Sequence, residues 1–194
     1  MYHIGIDPGS EGAAVILDGH LAIAAAYWKP AARNKKRVRK LVMVYRGSKP
    51  ISIITSRFSE IGFHICGLIS LLGITDCNLA CEDFYLGRNA RTTIELAKGA
   101  GLVVSPIEQK LNVQSEWVAA SEWRKVVLGL KRNTKRDDVK NASLLMIPSR
   151  VRGLADLSKQ LGSKDHITDA AGIAEWCRIM KEGINEKSGS RASL

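Results

Sequence analysis

The hydrophobic positions at the start of the chain alternate and then run into an acid. In Tyr2-His-Ile-Gly-Ile-Asp7, Tyr2, Ile4 and Ile6 fall on one side of an extended strand, and His3, Gly5 and Asp7 on the other. Ala13–Leu17 and Leu21–Tyr27 predict two more strands, and Asp18-Gly19-His20 between them is a hairpin signal. The chain thus opens as a three-stranded meander, and the basic segment after it reads as an exposed loop or hairpin extension that has room for a short strand at Leu41–Arg46 outside the main sheet.

Beyond Ser48-Lys49-Pro50 the period changes. Ile51, Ile54, Phe58, Ile61, Ile65, Leu68 and Leu72 are spaced alternately by three and four, which predicts one long helix. Such a stripe can pack on the sheet, and it can also meet a second copy of itself. Leu79–Phe84 reads as a fourth strand, Ala90–Lys98 as a helix ended by Gly99, and Leu102–Pro106 as a fifth strand. Helices follow at Ser121–Leu128, capped by Ser121 and closed by Gly129, and at Thr134–Ile147, stopped by Pro148. Leu154–Leu161 and Asp165–Lys181 complete the set, and a polar Gly/Ser-rich tail occupies 183–194. This is a mixed α/β plan: one five-stranded sheet with helices on both faces, forming a single domain over 1–182. The tail is expected to be disordered.

Charge narrows the partner. The chain has 29 Lys and Arg against 19 Asp and Glu, a net charge of +10. The excess is concentrated in two stretches without an acid. One is an insertion at 29–49 carrying Lys29, Arg33, Lys35, Lys36, Arg37, Arg39, Lys40, Arg46 and Lys49. The other carries Arg124, Lys125, Lys131, Arg132, Lys135 and Arg136. Two such blocks point to a polyanion, and no apolar run long enough to anchor the chain in a membrane accompanies them, so nucleic acid is the expected partner. Cys66, Cys77, Cys81 and Cys177 make no CxxC pair and no zinc spacing, and read as reduced thiols of a cytosolic core.

A core strand that ends in Asp7 needs something to compensate the carboxylate. Glu82 also sits at the end of an apolar strand, and if the two strands are neighbours both acids emerge together. His166 and Asp169 are three apart on a helix and share a face, beside the apolar stripe of Ile167, Ala170, Ala171 and Ala174. Asp165 reads as a helix cap or first-turn acid. Carboxylates with an imidazole suit Mg²⁺ or Mn²⁺, and a site with several carboxylates can hold two ions about 3.5–4 Å apart, the arrangement that hydrolyses phosphodiesters.

At this point the chain resembles the RuvC-type Holliday junction resolvases of the ribonuclease H-like superfamily, particularly the compact bacteriophage members. Gly5-Ile6-Asp7-Pro8-Gly9, Glu82, His166-Ile-Thr-Asp169-Ala-Ala, and Trp123-Arg124-Lys125 followed by Leu128-Gly129 carry the likeness, in the family's order. The resemblance implies a ribonuclease H-like fold and a homodimeric endonuclease that resolves four-way junctions by paired nicks, leaving 5′-phosphate and 3′-hydroxyl ends. It implies two Mg²⁺ ions, replaceable by Mn²⁺, with Asp7 bridging them and Glu82 and Asp169 completing the set. His166 would be a ligand or would assist the attacking water. Phe84 and Tyr85 follow the second acid where the family places a base-contacting aromatic, and Arg124 and Lys135 match phosphate-contacting positions. Lys35, Lys36, Arg37, Arg39, Lys40, Arg88, Lys125, Lys131 and Arg132 join them as expected DNA contacts, and the expected location is the cytoplasm of a bacterium or of a phage-infected host. The 29–49 insertion departs from the family and could widen the substrate to other branched DNA. A hydrolase of RNA–DNA hybrids would use the same chemistry. The Gly-Ile-Asp-Pro-Gly turn also resembles the first phosphate loop of actin-like ATPases, but no later Asp-x-Gly turn follows a strand here.

Overall fold

The computed structural model describes residues 1–32, 38–83, 90–163 and 165–189, with the backbone alone for 90–92 and 184–189. Seven strands form one mixed sheet in the order β5-β4-β3-β2-β1-β6-β7. They are β1 (Tyr2–Asp7), β2 (Gly12–Asp18), β3 (Leu21–Pro30), β4 (Arg39–Tyr45), β5 (Ile51–Thr55), β6 (Cys77–Glu82) and β7 (Glu116–Val118). The first five are joined antiparallel, whereas β6 runs parallel to both β1 and β7. The β2–β3 hairpin pairs Asp18 with Leu21, and Gly19 takes φ +54° at the first of the two turn positions, as a tight hairpin requires. The basic insertion is the end of the β3–β4 hairpin, in which Pro30 pairs with Arg39; its residues 33–37 lie outside the described residues.

The helices are α1 (Phe58–Leu71), α2 (Ala90–Leu111), α3 (Ala120–Leu128), α4 (Arg136–Arg150), α5 (Leu154–Leu161) and α6 (Asp165–Gly189). The alternation along β1 decides which face each helix covers. Ile4 and Ile6 join Leu79 and Cys81 of β6 in a core closed by α1 and α2. Ala80, Val15 and Tyr27 face the other way, into a core closed by α3, α4, α5 and α6. Gly5 lies on this second face, where a Cβ would fall on the backbone of Ala170 and Ala174. The missing side chain lets α6 rest directly on β1, with Ile167, Ala170, Ala171 and Ala174 all fully buried. All four cysteines are buried free thiols.

The sheet is wider than the expected five strands, and the periodic stripe explains part of the difference. Its first two members, Ile51 and Ile54, belong to the edge strand β5 and are exposed, while Ile61, Ile65 and Leu68 are buried on α1. Spacings of three and four fit one helix, but Ile51-Ser-Ile-Ile-Thr55 is β-branched almost throughout and pairs with β4. On α1 the stripe packs on the sheet and α2; Phe63 and Leu71, which are not part of it, are the exposed apolar residues.

The expected strand at Leu102–Pro106 is instead the middle of α2. Gly99 does not end that helix: it lies against Phe58, whose ring a Cβ would meet at 2.9 Å. Val103, Val104, Ile107 and Leu111 form its buried face, a helical pattern masked by a short β-branched run. Strand β7, too short to show a period, was not expected. Pro148 lies within the last turns of α4 rather than after it. Ala119, not Ser121, is the N-cap of α3. Helix α6 continues past Gly183 to Gly189. Among the described residues no helix is long and apolar enough to cross a membrane.

Candidate active site

Asp7 and Glu82 end adjacent parallel strands. Ile6 pairs with Cys81, so the two acids are the next residues along, and alternation turns both toward the face covered by α6. Helix α6 begins at Asp165 above the same strand ends, which brings His166 and Asp169 to them. His166 Nδ1 lies 2.6 Å from Asp7 Oδ2. A carboxylate only accepts, so Nδ1 carries the proton. Trp123, fully buried on α3, donates its indole N–H to Glu82 Oε2 at 2.9 Å. Arg124 Nη2 lies 3.6 Å from Asp169 Oδ2, and its guanidinium stands over the Trp123 ring at 5.0 Å.

The electrostatics report crowded negative charge. Burial, and then the neighbouring Asp7 charge, push the Asp169 carboxyl up to about 7. The same two causes raise Glu82, opposed by the Trp123 hydrogen bond and by Arg124. The hydrogen bond to Asp7 raises His166, with burial acting against it. The donors are hard oxygens and an imidazole, a set suited to Mg²⁺ or Mn²⁺, and a cation among them would relieve the repulsion. Among the described residues, however, no three such side chains are arranged to hold a metal ion as they stand. Each acid is turned to a protein partner: Asp7 to His166, Glu82 to Trp123, Asp169 toward Arg124. The donor chemistry fits a divalent ion, and each of these carboxylates has a second oxygen beside the one its protein partner engages.

Two residues that the sequence did not single out, Tyr27 and Glu11, frame the site together with Trp123, which the sequence names only within a motif. Tyr27 of β3 stacks near His166, ring centroids 6.3 Å apart, and donates its hydroxyl to Glu11. Glu11 in turn helps to raise His166. Alternation puts Tyr27 on the face of Asp7, the one signal that could have found it; Glu11 is in a turn and gives none.

A cleft of about 830 Å³ opens beside the acids. Glu82, the Asp83 that follows it, and Asp165, His166 and Asp169 line it from the end of β6 and from α6, and Arg124, Lys131, Arg132, Arg136 and Lys140 from α3, α4 and the loop between them. Of the expected DNA contacts, Arg124, Lys131 and Arg132 therefore reach the cleft; Lys40, Lys125 and Lys135 are exposed elsewhere. Arg39 is placed differently from the others: it is 8% exposed, its guanidinium 3.6 Å from the centre of the Phe58 ring. Its strand position next to Lys40 hid this, because successive side chains point to opposite faces. Lys35, Lys36, Arg37, Phe84, Tyr85 and Arg88 lie outside the described residues. Asp165 stands at the start of α6, with its carboxylate 2.6 Å from Lys140 Nζ.

No protein-family profile matches the chain, and no curated protein matches it. Among solved structures, that of Thermus thermophilus RuvC is similar over 94% of this chain and 97% of that one, with a TM-score of 0.53 and 14% identity. A second, T. thermophilus RuvC in complex with a Holliday junction substrate, covers 91% of each chain at 13% identity and a TM-score of 0.47. The chain has a RuvC-like, ribonuclease H-like fold.

Proposed function

We propose that the chain is a metal-dependent endonuclease that cuts branched DNA, four-way junctions foremost. The observation that carries this is the convergence of Asp7, Glu82, His166 and Asp169 at two parallel strand ends and one helix start, beside a cleft with a basic wall. The RuvC-like fold supports a nuclease over the other uses of such a site.

Asp7, Glu82 and Asp169 would hold the divalent ions, two if the cleft is fully loaded. Bound there, the ions would supply a water activated for attack and a counter-charge for the leaving oxygen. His166 keeps a proton on Nδ1 for Asp7, which leaves Nε2 to take the proton of the attacking water. Trp123 orients Glu82 through one oxygen and leaves the other for a ligand. Arg124, Lys131 and Arg132 draw the phosphate backbone into the cleft. Paired cuts on opposing strands require two copies of the site, so the reading includes a homodimer.

The test is incision of a labelled immobile four-way junction beside a linear duplex and an RNA–DNA hybrid, each with Mg²⁺ or EDTA. Paired symmetric cuts on the junction alone, lost with EDTA, are the expected result. Cutting confined to the hybrid would replace the substrate, and no cutting of any nucleic acid would overturn the proposal.

A further inference from the structure

The wall that α4 gives to the cleft is not random surface. Arg136, Val139, Lys140, Ser143 and Leu144 are spaced three, one, three and one along the helix and form one of its faces. Two cations stand at its start, two apolar side chains lie beside them, and Ser143 is buried with no hydrogen-bond partner for its hydroxyl among the described residues. A surface made only for solubility would not line a cleft with apolar residues or leave a hydroxyl unmatched there. Cationic and apolar groups side by side fit a nucleotide, whose phosphate is anionic and whose sugar and base are largely apolar. The acids of β6 and α6 line the same cleft, so a strand drawn in along α4 has its cut bond within reach of them.

Lys140 is not free in this state. Its ammonium is 2.6 Å from Asp165, both about half exposed, and Asp165 is the residue immediately before His166. An exposed pair of this kind is worth little by itself, so a phosphate can displace the carboxylate easily.

We propose that Arg136 and Lys140 form the subsite for a DNA phosphate flanking the one that is cut, and that Asp165 restrains Lys140 until DNA arrives. This rests on the nuclease reading above and assigns part of its substrate path.

Binding of a fluorescent four-way junction is measured against salt concentration, in chains that carry Asp7→Asn so that nothing is cut. Lys140→Gln and Arg136→Gln should each weaken binding and lower the salt slope by about one unit. Asp165→Asn should tighten binding, because it frees Lys140 and removes a negative charge from the cleft. In the double variant Asp165→Asn/Lys140→Gln, the tightening due to Asp165→Asn should shrink markedly. Lys159→Gln, in a separate surface cleft lined by Arg46 and Arg152, serves as the comparison for a generic loss of charge. A slope change in Lys140→Gln no larger than in Lys159→Gln overturns the subsite, as does weaker binding by Asp165→Asn. Failure of the Asp7→Asn chain itself to bind any DNA would overturn the nuclease reading with it. Arg136, Lys140, Lys159 and Asp165 are all exposed, and thermal unfolding of each variant separates lost binding from lost fold.

Discussion

The indole of Trp123 donates to Glu82 at 2.9 Å from a fully buried position, so an acid of the candidate site is fixed by a core residue of a different element. Trp123→Phe keeps an aromatic ring there but removes the donor. Glu82 then loses a hydrogen bond that favours its charged form, and its carboxyl rises further. The acidic limb of the incision–pH profile should move toward higher pH, with a stability loss of about 1–3 kcal/mol from the smaller ring. An unmoved pH profile accompanied by the same stability loss would reduce Trp123 to a packing residue.

Asp169 links the site to stability. Its folded-state value of about 7 stands above the ordinary 3.8, so the folded chain binds the extra proton. The contribution to stability is therefore full below about pH 4 and is lost as pH rises through about 7. In EDTA, the melting temperature of the wild type should fall relative to that of Asp169→Asn over this interval. At neutral pH the variant should be more stable by about 1–2 kcal/mol, roughly 2–8 °C. Mg²⁺ or Mn²⁺ should restore the wild type and leave the variant little changed. Parallel melting curves across the pH range would contradict the account.

Gly5 sets the distance between β1 and α6. Gly5→Ala puts a methyl group onto the backbone of Ala170 and Ala174, so α6 must move away from the sheet. The expected loss is about 1–3 kcal/mol or more. Incision should fall further than the lost stability explains, since His166 and Asp169 move with the helix while Asp7 stays. Calorimetry and single-turnover incision well below the melting temperature check this together; full activity in a destabilised chain would contradict it.

Arg39 and the pair Lys131 and Arg132 should behave oppositely. Arg39→Gln removes a buried cation stacked on Phe58, and should destabilise the fold by about 1–2 kcal/mol while leaving the salt dependence of DNA binding unchanged. Lys131→Gln with Arg132→Gln should leave the melting temperature alone and lower the salt slope by about two units. Thermal melts and binding titrations on the same samples decide it, and a lower slope in Arg39→Gln would return that residue to the DNA surface.

What the sequence made legible follows period and position. Asp7 and Glu82 could be recognised because an apolar strand that ends in an acid is unusual, and the pairing of Ile6 with Cys81 puts them side by side. His166 and Asp169 could be paired because a spacing of three fixes a helical face. Leu102–Pro106 was misread because Val103-Val104 is β-branched and Pro106 resembles a boundary, whereas packing against α1 outweighed both local preferences. Ile51 and Ile54 were misplaced for the converse reason: they continue a helical spacing but pair as an edge strand. The contacts that turn each acid to a partner were beyond reach, because the Trp123–Glu82 bond joins residues 41 apart and the His166–Asp7 bond residues 159 apart.

In the proposed function Asp7 belongs to the cutting machinery and not to the grip on DNA. Wild type and Asp7→Asn should be compared on one labelled four-way junction with Mg²⁺, measuring affinity and single-turnover incision in the same preparations. The account predicts unchanged or slightly tighter binding by Asp7→Asn and a loss of incision to the level seen with EDTA. Incision that persists in Asp7→Asn would contradict it.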